Sequence, residues 1–132
     1  MLTGASLDEQ CLLNSVKQTG LAQFKQRSAK AIVIELAGLD TEFDLISLNE
    51  FTSERKLMSV LVRDRRSGQL FVYAKGAESQ IMNRLSAESR ASPLSEQVAR
   101  EIVRFGSAGL RTLVFAMRQL DTSEFESIDL SD

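Results

Sequence analysis

Apolar residues recur along this chain in two rhythms, and the order of the rhythms predicts the architecture. Leu12 and Val16 stand four apart with Leu13 beside them, which marks one face of a short helix over 10–18. Ser6 precedes it as an N-cap, Asp8 and Glu9 occupy its first turn, and Ser6 to Glu9 has capping-box spacing. Gly20 stops it. Leu21–Phe24 reads either as a strand or as a connection. The period then falls to two, with Ile32, Ile34 and Leu36 sharing a face of the run 31–36. Gly38-Leu39-Asp40 punctuates it, and 42–50 is β-like with mixed alternation. Leu57–Arg63 sets Met58, Val60 and Val62 against Leu57, Ser59 and Leu61. Asp64–Gly68 is a turn, and Gln69–Lys75 returns with Leu70, Val72 and Ala74 opposite Phe71 and Tyr73.

Helical spacing resumes over 77–85, where Ile81 and Leu85 stand four apart. Residues 86–92 read as a polar loop. Pro93 then takes the first helical position behind Ser92 as cap, and Leu94, Val98, Ile102 and Phe105 form a stripe that Gly106 and Gly109 end. Leu110–Leu120 is expected as a last strand buried in its centre, and Asp121–Asp132 as a frayed acidic tail. Strands that follow one another without intervening helices predict an α+β fold: a mainly antiparallel sheet with helices packed on it.

Composition narrows the chemistry. A chain of 132 residues, 43% hydrophobic and 26% charged, is long enough to bury a real core as one domain. A net charge of −2 creates no field favouring nucleic acid or an anionic membrane. One cysteine, Cys11, rules out an internal disulfide and fits a reducing, cytosolic compartment; it reads as a small buried side chain. Histidine is absent, which removes His-based triads and HExxH zinc chemistry. No apolar run approaches the ~20 residues that span a bilayer, and the start does not resemble a signal peptide. Neither GxxxxGK[ST] nor GxGxxG occurs.

Chemistry must therefore rest on carboxylates, Lys, Arg, hydroxyls, aromatics and backbone. The stretch Phe51–Ala77 gathers most of it, because pairing its two strand-like runs brings Phe51 and Lys75 to one end of a hairpin. Phe51 either closes a strand inside the core or offers its ring to a base, where stacking contributes about 1–3 kcal/mol. Lys75 either snorkels to solvent or, with Gly76 and a following helix start, meets an electron-rich ligand. Arg111 is either a surface residue or a phosphate contact. Glu9 is a capping residue that could also accept from an exocyclic amine. Met58, Phe71 and Phe115 read as core.

Four segments carry a resemblance to P-type ATPases. Glu50-Phe51-Thr52-Ser53-Glu54-Arg55-Lys56-Leu57-Met58-Ser59-Val60 resembles the segment that opens their nucleotide pocket. Tyr73-Ala74-Lys75-Gly76-Ala77 is similar to their KGA motif, and Gly109-Leu110-Arg111-Thr112-Leu113 to their GLRTL segment. Ser6-Leu7-Asp8-Glu9 resembles the SPDE tetrapeptide of the phospholipid-transporting subfamily, the type IV flippases, with Leu7 in place of proline. The absence of proline after Lys75-Gly76-Ala77 also favours that branch over cation pumps, and Glu78 stands where flippases often carry Asp.

The resemblance covers about Ser6 to Leu120 and implies a nucleotide-binding (N) domain, a twisted antiparallel sheet flanked by helices. It implies that Phe51 stacks on adenine, Lys75 lines the pocket floor, Glu9 faces the adenine amine, and Lys56 and Met58 flank the base. Gly76 and Ala77 then shape the back wall, Arg111 lies towards the phosphates, and Ser53 and Thr112 complete the ATP-binding set. No catalytic residue or metal ligand is expected within the chain. The phosphorylation loop DKTGT, the TGE loop and the GDGxND segment are missing. The expected organisation is thus an excised, monomeric domain over 1–121, with 122–132 as an acidic tail leading back to a phosphorylation domain. In such a parent, a multi-pass membrane protein, the cytosolic N domain delivers the γ-phosphate of ATP, with Mg2+, to an aspartate elsewhere. Actuator domain, accessory subunit and phospholipid substrate would be met only through the parent, and the isolated domain would not hydrolyse ATP. The N domain of a cation pump and a non-enzymatic interaction module remain the alternatives.

Overall fold

The computed structural model describes residues 7–128. Ser6, the expected cap, and the last four residues of the acidic tail lie outside them. The elements follow in the order α1 (Leu7–Thr19), β1 (Ala22–Arg27), β2 (Ala31–Leu36), β3 (Leu39–Asn49), β4 (Leu57–Asp64), β5 (Leu70–Gly76), α2 (Glu78–Met82), α3 (Ala87–Ala91), α4 (Pro93–Ser107), β6 (Val114–Leu120) and α5 (Thr122–Glu126). The strands form a six-stranded antiparallel sheet in the order β1-β2-β3-β4-β5-β6. The α+β expectation holds, and the simple strand order follows from the consecutive strand-like runs in the sequence.

By its internal contacts the chain divides into two compact units. One comprises the chain up to Ile46 together with Val62–Leu70; the other comprises Ser47–Leu61 and the chain from Phe71 onward. In the first unit, 22–24 resolves as the start of β1, with Leu21 in the bend before it. It pairs with β2, Ala22 opposite Leu36 and Phe24 opposite Ile34, and the register slips at Lys25, since Gln26 faces Val33. The turn Ala37-Gly38 returns β2 into β3, Leu36 facing Leu39. In the turn between β4 and β5, Arg65 donates to Asp44 of β3 (Nε to Oδ1, 2.7 Å) and also pairs with Glu42. That hydrogen bond to Asp44, and then the two negative charges, raise the guanidinium pKa above its ordinary value.

The second unit holds a core of Leu57, Ile81 and Val114, with Ala74, Ile102 and Ala116 packed against it. Alternation along each strand explains the set. Leu57 and Leu61 on β4, Ala74 on β5, and Val114 and Ala116 on β6 occupy one face, where α2 supplies Ile81 and α4 supplies Ile102. Ile81, 2% exposed, is the centre of this core. The helix α4 begins as its sequence predicts, with Ser92 Oγ accepting from the Leu94 N–H (3.2 Å) and Pro93 in the first turn. It ends in a Schellman motif: Leu110 N–H donates to Phe105 O (3.0 Å), Gly109 N–H to Gly106 O (3.0 Å), and Gly109 takes φ +78°. Gly106 itself stays inside the helix.

Several local expectations are corrected. Residues 86–92 contain α3, started by Ser86 Oγ accepting from the Ser89 N–H (3.1 Å); a cap made three residues ahead outweighs polarity. The expected helix over 77–85 closes at Met82. β6 begins at Val114 and its centre is exposed, with Phe115 at 58% and Met117 at 59%, because this edge strand meets the core on one face only. The tail starts as the short helix α5. Asp121 caps it, accepting from the Glu124 N–H and the Ser123 hydroxyl at 2.7 Å each, and these bonds lower the carboxyl pKa. Cys11 is exposed rather than buried, since α1 turns that side to solvent.

Candidate functional site

The second unit closes one end of the β4–β5 hairpin tightly. Ala77 N–H donates to Lys56 O (3.0 Å), and Gly76 is buried against the same segment. A Cβ at Gly76 would lie 2.5 Å from the Lys56 carbonyl oxygen and 2.6 Å from Leu57 Cβ, so only glycine lets the strands meet there. The close approach that Gly76 permits is to neighbouring backbone. Ahead of β4, residues 52–56 form a turn in which Lys56 N–H donates to Thr52 O (2.7 Å) and Arg55 N–H to Thr52 Oγ1 (3.1 Å). Lys56 sits at φ +56° as the chain swings into β4. Phe51 stands immediately before this turn, 59% exposed, and is therefore not a core residue. Ser53 is exposed within the turn.

The sheet face opposite the core carries a groove of about 410 Å³, lined by Met58 and Val60 from β4, Tyr73, Ala74 and Lys75 from β5, and Phe115, Ala116 and Met117 from β6. Period-two alternation puts Met58, Tyr73, Lys75, Phe115 and Met117 there, because their neighbours point into the core. The walls are apolar and aromatic, and the polar side chains in the lining are the Lys75 ammonium and the Tyr73 hydroxyl. Met58 and Phe115, expected in the core, are groove residues. Phe71 is half-buried next to Tyr73, their ring centroids 6.0 Å apart.

Lys75 and Met58 thus share one groove, and Lys56, Gly76 and Ala77 meet at its hairpin end. Arg111 and Thr112 line a different cavity of about 540 Å³, beneath Leu94, Val98, Ile102 and Phe105 of α4. Arg111 lies in the extended connection between α4 and β6, three residues ahead of the strand. Glu9 belongs to the first unit, half-buried in the first turn of α1. Sequence reading missed Tyr73 and Met117. Tyr73 was findable, since it stands two residues before Lys75 on one strand face; Met117 was not, because its exposure depends on which side of β6 the helices cover. Among the described residues no group of three or more acidic or thiol side chains converges as metal ligands would. No helix of the described residues is long and apolar enough to cross a membrane.

An α+β domain with an antiparallel sheet, helices on its core face and a lysine-bearing apolar groove opposite defines the class. The profile of the family "P-type ATPase, cytoplasmic domain N" matches residues 5–132, and the chain belongs to that family. It is most like the phospholipid-transporting branch. It is 35% identical over 125 residues to "Probable phospholipid-transporting ATPase 5" of Arabidopsis thaliana, covering 91% of this chain and 10% of that protein. It is 33% identical over 132 residues to "Phospholipid-transporting ATPase DNF1" of Saccharomyces cerevisiae (95% and 8%), and 31% identical over 121 residues to "Phospholipid-transporting ATPase tat-1" of Caenorhabditis elegans (92% and 10%). The chain thus spans a tenth or less of the length of these relatives.

Proposed function

We propose that this domain binds ATP by its adenosine end and serves as the nucleotide-carrying part of a phospholipid-transporting P-type ATPase. The observation that carries the reading is the convergence of Met58 and Lys75 on one apolar groove at the closed end of the β4–β5 hairpin. A volume of about 410 Å³ with apolar walls and few polar groups suits a small planar ligand. Phe51 is the stacking ring, with Ser53 and Lys56 in the turn that follows it. Lys75 supplies positive charge from below, Met58 flanks the base, and Gly76 and Ala77 hold the back wall. Arg111 and Thr112 receive the phosphates, where a guanidinium matches phosphate oxygens.

No group in this set performs proton transfer or nucleophilic attack. The domain positions the nucleotide, and the γ-phosphate goes to an aspartate in the phosphorylation domain of a multi-pass parent whose N domain faces the cytosol. Mg2+ accompanies ATP and is held by its phosphates and by that other domain. Lipid substrate, actuator domain and accessory subunit engage the parent.

Titration with ATP followed by residue-resolved NMR tests the binding. Saturable shifts are expected around Phe51, Lys75 and Arg111. Phe51→Ala should weaken affinity about tenfold, within the ~1–3 kcal/mol of base–aromatic stacking, and change stability by less than ~0.5 kcal/mol because the ring is exposed. The absence of shifts at millimolar ATP refutes the proposal. The chain alone should show no ATP hydrolysis, and metal-dependent turnover by pure protein would contradict the division of labour.

A further inference from the structure

Packing does not ask for phenylalanine at position 115. It stands on the edge strand β6 and is more than half exposed, whereas Val114 and Ala116 on either side of it belong to the core. An apolar ring in water on an open sheet edge invites unwanted strand pairing, and natural edges ordinarily carry a charge there instead. Burial alternates without a break from Arg111 to Met117. Arg111, Leu113, Phe115 and Met117 are exposed, while Thr112, Val114 and Ala116 between them are partly or wholly covered. Alternation of this period belongs to extended chain and sets those four side chains on one side. A single row thus begins at Arg111 and reaches the groove at Phe115 and Met117.

Phe115 holds a particular place in that row. The groove of Lys75 and Met58 and the cavity of Arg111 and Thr112 both lie in the second unit, and Phe115 is the one residue that lines both. We infer that Phe115 is a nucleoside-contacting residue, its ring packing against base and ribose where a nucleotide passes from the groove to the Arg111 cavity. This rests on the ATP reading above and adds a residue to it. A nucleotide with its base beside Met58 and Lys75 and its phosphates at Arg111 carries its sugar over the boundary of the two cavities, where this ring stands. An aromatic face suits that position, since it stacks on a base and covers the C–H side of a sugar. Phe51 precedes β4 and lies outside the groove lining, so β6 supplies the nucleoside with a second ring from another strand.

The test titrates the full chain with ATP, adenosine and inorganic tripolyphosphate, followed by NMR, for the unaltered protein, Phe115→Ala and Phe115→Leu. Phe115→Ala should weaken ATP and adenosine by the same factor, roughly tenfold, as the loss of one stacked ring does, and leave tripolyphosphate unaffected. Phe115→Leu, which keeps apolar contact without the ring face, should fall between. The urea midpoint should not move in either variant, because the ring is exposed. In the unaltered chain, nuclear Overhauser contacts are expected from adenine and ribose protons to the Phe115 ring. ATP bound as tightly by Phe115→Ala as by the unaltered chain overturns the inference and leaves ATP binding standing. A loss confined to ATP and absent for adenosine overturns it too, since it puts the ring at the phosphates. So do Overhauser contacts that reach Met58 and miss the Phe115 ring, or a loss of affinity that only follows a lowered urea midpoint. If the unaltered chain binds no ATP, the proposed function fails first and this inference with it.

Discussion

Two glycines of the second unit should respond to alanine with opposite signs, and the structure supplies the magnitudes. At Gly76 an added Cβ meets the Lys56 carbonyl oxygen at 2.5 Å, Leu57 Cβ at 2.6 Å and Leu57 Cα at 2.7 Å. Two of these are backbone atoms with no rotamer to yield, so β4 and β5 must separate. Overpacking of this kind costs about 1–3 kcal/mol. Separation also weakens the 3.0 Å bond from Ala77 N–H to Lys56 O, worth about another 0.5–1.5 kcal/mol. Gly76→Ala should therefore destabilise by about 2–4 kcal/mol, a large part of the ~5–15 kcal/mol that holds a typical domain folded. At Gly106, inside α4, a Cβ meets nothing within 4 Å. There alanine removes only the glycine penalty in a helix and should stabilise by about 0.5–1 kcal/mol. Urea denaturation of both variants at constant m-value measures the pair. If Gly76→Ala costs less than about 1 kcal/mol, the hairpin end is not closed as described, and the placement of Lys75 beside Met58 loses its basis. An ATP titration of Gly76→Ala below its unfolding midpoint should also show weakened binding, because Lys56 and Lys75 both flank the displaced backbone.

Ile81→Ala empties the centre of the second unit's core and should cost about 2–5 kcal/mol by chemical denaturation. Ser92→Ala removes the N-cap of α4 and should cost about 1 kcal/mol, with faster amide exchange confined to the first turn of that helix. The Asp121 carboxyl should titrate below the ordinary ~3.9, because the Glu124 N–H and then the Ser123 hydroxyl bond to its ionised form. Since its folded pKa is the lower one, its support of α5 is present at neutral pH and is lost as pH falls through the folded value. Carbon NMR of the carboxyl reads the midpoint, and Asp121→Asn should remove this pH response of α5.

The sequence alone determined much of this protein. Period-two runs at 31–36, 57–63 and 69–75, separated by turn residues and not by helices, forced an antiparallel sheet, because strands joined by short turns have only their neighbours to pair with. Ser92-Pro93 and Gly109 bounded α4 because capping chemistry is local. The four motifs were legible for the same reason, and they led to the right family. What remained hidden depended on which face of a strand another element covers. Alternation distinguishes two faces of β4, β5 and β6 but does not say which is buried; only Ile81 and Ile102 against Leu57, Ala74 and Val114 decide it. That choice turned Phe115 and Met58 from expected core into groove walls and left the centre of β6 exposed. It also assigned Gly76 its role, since only once the hairpin closes would a Cβ at that position lie 2.5 Å from the carbonyl oxygen of a residue twenty places away. Local chemistry is written residue by residue, whereas burial belongs to pairs of elements and is settled when they meet.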